Sequence, residues 1–173
     1  MNAHNKILSR GGLRQRVEEW RRAGERIILA NGAFDLLHVG HVRYLRRARN
    51  QGDVLVVGLN TDRSVKEIKG EKRPVVPEKE RAEILAALES VDYVVPFDEP
   101  NPLRLIEALK PNVLVKGADW SKSRIIGRDI VEKIGGRVVR IPLVAGASST
   151  GVIQKIIKAY CSAASVASRK PGS

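Results

Sequence analysis

The chain has 173 residues, 43% hydrophobic and 29% charged, which fits one soluble domain with a sizeable core. No apolar run approaches the roughly eighteen residues a membrane helix needs, and the first residues carry no apolar signal core. The single cysteine, Cys161, cannot form an internal disulfide and suits a reducing cytoplasm, so we expect a cytoplasmic protein with no membrane partner. The net charge of +12 fits solvated basic faces, a pocket for a phosphorylated anion, or a nucleic-acid surface. Aromatic content of 4% leaves few stacking platforms, and no helix-turn-helix or zinc-finger spacing occurs, so nucleic acid is the least favoured of the three.

Short apolar runs alternate with helical patterns from residue 26 onward. "RIILA" precedes "HVRYLRRARNQG", and "VLVVGLN" precedes a long, basic, polar loop from Asp62 to Pro77. "EKERAEILAALES" leads to "YVVPF", "NPLRLIEALK" to "NVLVKG", and "IIGRDIVEKIGG" to "RVVRIP", with a last helix from about Ser148 to Tyr160. Asn101 reads as an N-cap with Pro102 in the first helical turn, Pro111 stops that helix, and Gly135-Gly136 ends the next. Continuously apolar strands between helices predict a single α/β domain: a Rossmann-like, doubly wound sheet of about five parallel strands with helices on both faces. Residues 1–25 read as an N-terminal helical extension, 26–161 as the domain, and 162–173 as a disordered tail.

In such a sheet ligands bind at the carboxyl ends of the strands. The first strand exits into "NGAFDLLHVGH", residues 31 to 41. Gly32 lets a phosphate approach the backbone, and a helix starting near Gly40 aims free N–H groups at the same place. His38 and His41, three apart, would face one volume as titratable donors. Zinc would need more ligands than Cys161 and His4 supply, and no nucleophile elbow supports acyl transfer. The G-x-G-x-x-G of a nicotinamide enzyme is missing after the strand. "ASSTGVI" reads as a helix start whose Ser148, Ser149 and Thr150 either cap or bind phosphate.

"GAFDLLHVGH" resembles the G-x-F-D-x-x-H-x-G-H signature of the nucleotidyltransferases related to class I aminoacyl-tRNA synthetases. "GDVLVVGLNTD", "KRPVVPEKERAEILAALESVDYVV", "LIEALKPNVLVKGADW" and "GGRVVRIPLVAGASST" extend the resemblance from about Ile27 to Ile157. The family they resemble is the D-glycero-β-D-manno-heptose 1-phosphate adenylyltransferases, often found as the C-terminal half of a kinase-transferase. This chain shows no kinase half, so it looks like the stand-alone form. Ala33 replaces a usual cysteine, and "KGADW" stands where "KGGDY"-like text is commoner.

The resemblance implies transfer of AMP from ATP, with Mg²⁺, to heptose 1-phosphate for lipopolysaccharide and cell-surface polysaccharide synthesis, in a homo-oligomer (a dimer) that binds no nucleic acid. It implies catalytic roles for His38, His41, Lys69 and Lys72. Asn31, Gly32, Ala33, Phe34, Gly40, Arg73, Ser148, Ser149 and Thr150 would bind nucleotide and phosphates, with the basic loop as a lid. Asp35, Lys116, Gly117, Asp119 and Trp120 would meet the sugar, with Trp120 suiting a sugar or a base face and Asp35 either there or bracing its turn; no dedicated protein metal ligand is implied. Arg81 resembles an anchoring position acting through Glu80. The competing readings are a cytidylyltransferase acting on glycerol 3-phosphate and, in another class, a non-catalytic nucleic-acid binder.

Overall fold

The computed structural model describes residues 3–161, and the tail expected over 162–173 lies outside them. Five strands, β1 (Ile27–Gly32), β2 (Val54–Asn60), β3 (Tyr93–Phe97), β4 (Val113–Gly117) and β5 (Arg137–Ile141), form one sheet in the order β3-β2-β1-β4-β5. Every pairing is parallel, from Ile27 opposite Val54 to Gly117 opposite Ile141. The fold is Rossmann-like α/β, and the strand order reverses between β1 and β4. Among the described residues no helix is long and apolar enough to cross a membrane.

Alternate residues of each strand feed two cores. One face receives Leu13, Val17 and Trp20 of α1 (Arg10–Arg22), then α5 (Leu103–Leu109) and Val131 of α6 (Arg128–Lys133). The other receives Leu45 and Ala48 of α2 (Val39–Arg49) and Ala82, Leu85 and Ala86 of α4 (Glu78–Ala86). β2 is buried along its whole length, as a central parallel strand should be. β5 is not: it is an edge strand whose exposed Arg137 and Arg140 guard unpaired backbone against a stray strand. Residues 1–25, expected as an extension, supply three core side chains, and Ile7 pairs with Val94.

Two local expectations need correction. The segment 62–77 is not all loop, because Asp62–Lys69 form α3. Thr61 caps it, its hydroxyl oxygen accepting the Ser64 N–H at 3.2 Å, and Asp62 in the first turn complements the helix dipole. The helix buries only Ser64 and Val65, so apolar periodicity hides it. Asn101 is not the N-cap of α5 either. The helix starts at Leu103, and Asn101 Oδ1 accepts the Leu103 N–H at 3.0 Å in a tight turn before it. The last helix, α7 (Ser149–Tyr160), follows its expected bounds and buries no residue.

Candidate active site

The chain leaves β1 through Asn31 and Gly32 and turns at Phe34, which has φ 42°. A left-handed conformation is strained for a bulky residue, and here it tucks the Phe34 ring inward, buried and edge-on to His41 at 5.4 Å. His38 then forms the extended N-cap of α2, its carbonyl accepting the His41 N–H at 2.9 Å. This tight start stacks the His38 and His41 rings, centroids 3.9 Å apart. A Cβ on Gly40 would stand 2.9 Å from the His38 ring and 3.2 Å from Ala147, so only glycine fits between them without displacement.

Burial lowers the pKa of both histidines, and that of His41 falls to about 4, with the charges of His38 and Lys69 adding to the effect. Both imidazoles are therefore neutral near pH 7, each with one N–H to donate. Among the described residues their buried Nδ1 atoms have no hydrogen-bond partner, although buried polar atoms are ordinarily paired. Two neutral rings at a helix N-terminus, with polar atoms unsatisfied, suit an anion that arrives with its own acceptors.

The start of α7 meets the same spot. Ser148 caps it by accepting the Gly151 N–H at 3.0 Å, and Ser149 donates its hydroxyl to Leu36 O at 3.0 Å. Both hydroxyls are thus engaged within the protein, and Ser148, Ser149 and Thr150 all line the shared cavity. Lys69, at the end of α3, lines it too, its pKa lowered by burial and by nearby Arg73.

At the end of β4, Lys116 is 9% exposed and donates to Asn31 Oδ1 at 2.6 Å, while its ammonium lies 5.5 Å from the Trp120 ring centroid. Burial lowers its pKa to about 8, and Asp119 opposes that shift. A Cβ on Gly117 would fall 2.4 Å from the Asp119 carboxylate, so glycine lets that side chain fold back over the strand end.

These groups line one cavity of about 540 Å³. Of the expected residues, Asn31, Gly32, Ala33, Phe34, His38, Gly40, His41, Lys69, Arg73, Lys116, Gly117, Asp119, Trp120 and Ser148 to Thr150 all reach it. Asp35 and Lys72 do not. Asp35 is 2% exposed and braces the turn, accepting from Arg73 Nε at 2.5 Å and from the N–H groups of Val75 and Val76 at 2.8 and 2.9 Å. Lys72 is exposed on the loop beyond α3. Arg81 anchors the region, but through Asp62 and backbone carbonyls rather than Glu80. Sequence reasoning missed Tyr44, Asn60 and Asn101 in the wall. For Asn60 a signal existed: a polar residue closing the apolar run "VLVVGLN" at a strand's carboxyl end.

A model of the family described as cytidylyltransferase-like matches residues 29–160, which takes in the histidine turn, the cavity walls and α7. The chain belongs to the cytidylyltransferase-like family. It is 56% identical over 155 residues to the bifunctional protein HldE of Geobacter metallireducens, covering 90% of this chain and 32% of that protein. With the bifunctional protein HldE of Geobacter sulfurreducens the identity is 57% over 137 residues, 79% of this chain and 28% of the other. The chain thus spans about a third of the length of these curated relatives. The crystal structure of the lipopolysaccharide core biosynthesis protein from Thermoplasma volcanium GSS1 superposes with a TM-score of 0.58 at 27% identity, covering 70% of this chain and 98% of that one.

Proposed function

We propose that the chain transfers the adenylyl group of ATP to D-glycero-β-D-manno-heptose 1-phosphate, releasing pyrophosphate and forming ADP-heptose for lipopolysaccharide and cell-surface polysaccharide synthesis in the cytoplasm. The observation that carries this reading is the pair of stacked, neutral histidines between the N-termini of α2 and α7. The family match and the extended likeness to the HldE proteins support it, as does the likeness to the Thermoplasma lipopolysaccharide core biosynthesis protein.

An oxygen of the sugar phosphate attacks the α-phosphorus in line while the bond to the bridging oxygen breaks and pyrophosphate leaves. The attacking group is already an anion, so no strong base is required and no covalent enzyme intermediate forms. What the protein must supply is alignment and stabilisation of charge on the phosphoryl oxygens. His38 and His41 donate to those oxygens, and the two helix N-termini with Lys69 hold the rest of the triphosphate. Arg73, tied to Asp35, keeps the loop after α3 against the site as a lid, with Lys72 on its outer side. ATP enters as its magnesium complex, the metal belonging to the substrate. Among the described residues no three His, Cys, Asp or Glu side chains gather to hold a metal, and Asp119 is the carboxylate in the cavity wall. The working form is a homodimer.

Pyrophosphate release tests the reading, with Mg–ATP or Mg–CTP offered against heptose 1-phosphate and glycerol 3-phosphate. Release is expected with ATP and the heptose, reduced about 10²–10³-fold in His38→Ala, as when one preorganised donor is removed. Release with CTP and glycerol phosphate would keep the chemistry and discard the sugar. Release with no pair would remove the enzymatic reading.

A further inference from the structure

The cavity straddles the point where the strand order reverses, so its two ends differ in chemistry. On the β4–β5 side stand Trp120, Leu143 and Val144, a flat aromatic beside aliphatic groups, next to the start of α7. On the β2–β3 side stand Asn60, which closes β2, and Asn101, in the turn between β3 and α5.

Both amides on this second side are locked in one orientation. Ser64 uses its hydroxyl proton on Glu99 O at 3.1 Å, so toward Asn60 it only accepts, and it takes a hydrogen bond from Asn60 Nδ2 at 2.9 Å. Asn60 is 6% exposed and lines the cavity, and with its Nδ2 held by Ser64 its Oδ1 is left as an acceptor. Asn101 is locked the other way: its Oδ1 accepts the Leu103 N–H, leaving the NH₂ as donor. A fixed acceptor and a fixed donor together match a hydroxyl-bearing group, because each hydroxyl both donates and accepts.

We infer that Asn60 and Asn101 form the subsite that reads the hydroxyl groups of the phosphorylated acceptor, while the nucleoside lies at the opposite end against Trp120. The inference rests on the adenylyl-transfer reading; it moves the sugar away from Lys116, Gly117 and Asp119, and of the two faces expected at Trp120 it takes the base. A subsite built to pair hydroxyls discriminates strongly, because an acceptor lacking them leaves buried amide groups unpaired.

The test uses the whole chain and two ligands, heptose 1-phosphate and Mg–ATP, titrated separately by calorimetry. Asn60→Leu removes the acceptor. Asn101→Ser keeps an oxygen for the Leu103 N–H while withdrawing the amide from the cavity. Each variant is expected to bind the sugar phosphate roughly ten- to a hundredfold more weakly, with ATP affinity unchanged. Weakened ATP binding with sugar binding intact would place the nucleoside at this end and overturn the inference, as would no change in either. Should Asn60→Leu fail to fold, Asn101→Ser decides alone. Pyrophosphate release is measured on the same samples. Normal release in both variants would uphold the transfer reading and sink the subsite. Sugar binding that depends on the two amides, without release in the wild type, would do the reverse.

Discussion

The Nδ1 atoms of His38 and His41 are buried with no hydrogen-bond partner among the described residues, and burying a titratable ring ties stability to pH. In the unfolded chain a histidine titrates near 6.5, whereas folded His41 titrates at about 4 because burial opposes its charge. Between those values the unfolded state binds more protons, so acid favours unfolding. The stability His41 permits is fully present above about pH 6.5, falls as the pH drops through the window, and levels off below 4. The span corresponds to about 3 kcal/mol at one pKa unit per 1.36 kcal/mol. Urea unfolding of the unliganded protein at pH 7 and pH 4.5 checks this, and His41→Asn is expected to lose much less stability between the two. Equal acid losses in wild type and variant would mean that the buried ring carries no such penalty.

At the scale of elements, one side chain holds the floor of the site. Arg81 of α4 is 1% exposed and donates to Ala33 O at 2.6 Å, Asn60 O at 2.9 Å, Val76 O at 2.9 Å and Asp62 Oδ1 at 2.7 Å. It joins the exits of β1 and β2, the start of α3 and the loop before α4. Lysine in its place keeps the charge but cannot fork to four acceptors. Arg81→Lys should cost about 1–3 kcal/mol, the range for leaving buried carbonyl acceptors unsatisfied, since lysine keeps the charge beside the part-exposed Asp62, and denaturant midpoints with an unchanged m-value would show it. A loss below about 1 kcal/mol would mean that water replaces the lost bonds. These contacts also mark what was legible in the sequence. The strands and most helices announce themselves through short apolar runs and local caps, and the histidine turn through its spacing. Arg81's partner Asp62 lies 19 positions upstream, and the facing of Asn60 and Asn101 depends on which strands are neighbours. Nothing local carries the Arg81 pairing or the facing of Asn101, and for Asn60 the only local mark is the polar end of "VLVVGLN". α3 stayed hidden for another reason: Thr61 and Asp62 supply a cap and an acidic first turn, but the helix buries too little to show a periodic apolar face.

For the molecule as a whole, the question is where a net charge of +12 acts. Much of the outer surface pairs its own charges, as in Arg16–Glu19, Arg26–Asp53, Arg63–Asp98 and Arg128–Glu132. The cavity wall is different: Lys69, Arg73 and Lys116 face it with Asp119 as the one carboxylate among its lining residues, and two helix N-termini add partial positive charge. A concave, net-positive wall in a positive molecule attracts anions such as the triphosphate proposed as substrate, and salt screens that attraction over about 10 Å at 0.1 M. Raising ionic strength from about 0.05 to 0.5 M should therefore lower kcat/KM for ATP roughly three- to tenfold, mostly through KM. The melting temperature should move little over the same range, because exposed ion pairs contribute little to stability. Parallel losses of kcat/KM and melting temperature would trace the salt effect to the fold. A salt-independent kcat/KM would leave the positive wall acting only at contact, through hydrogen bonds already formed.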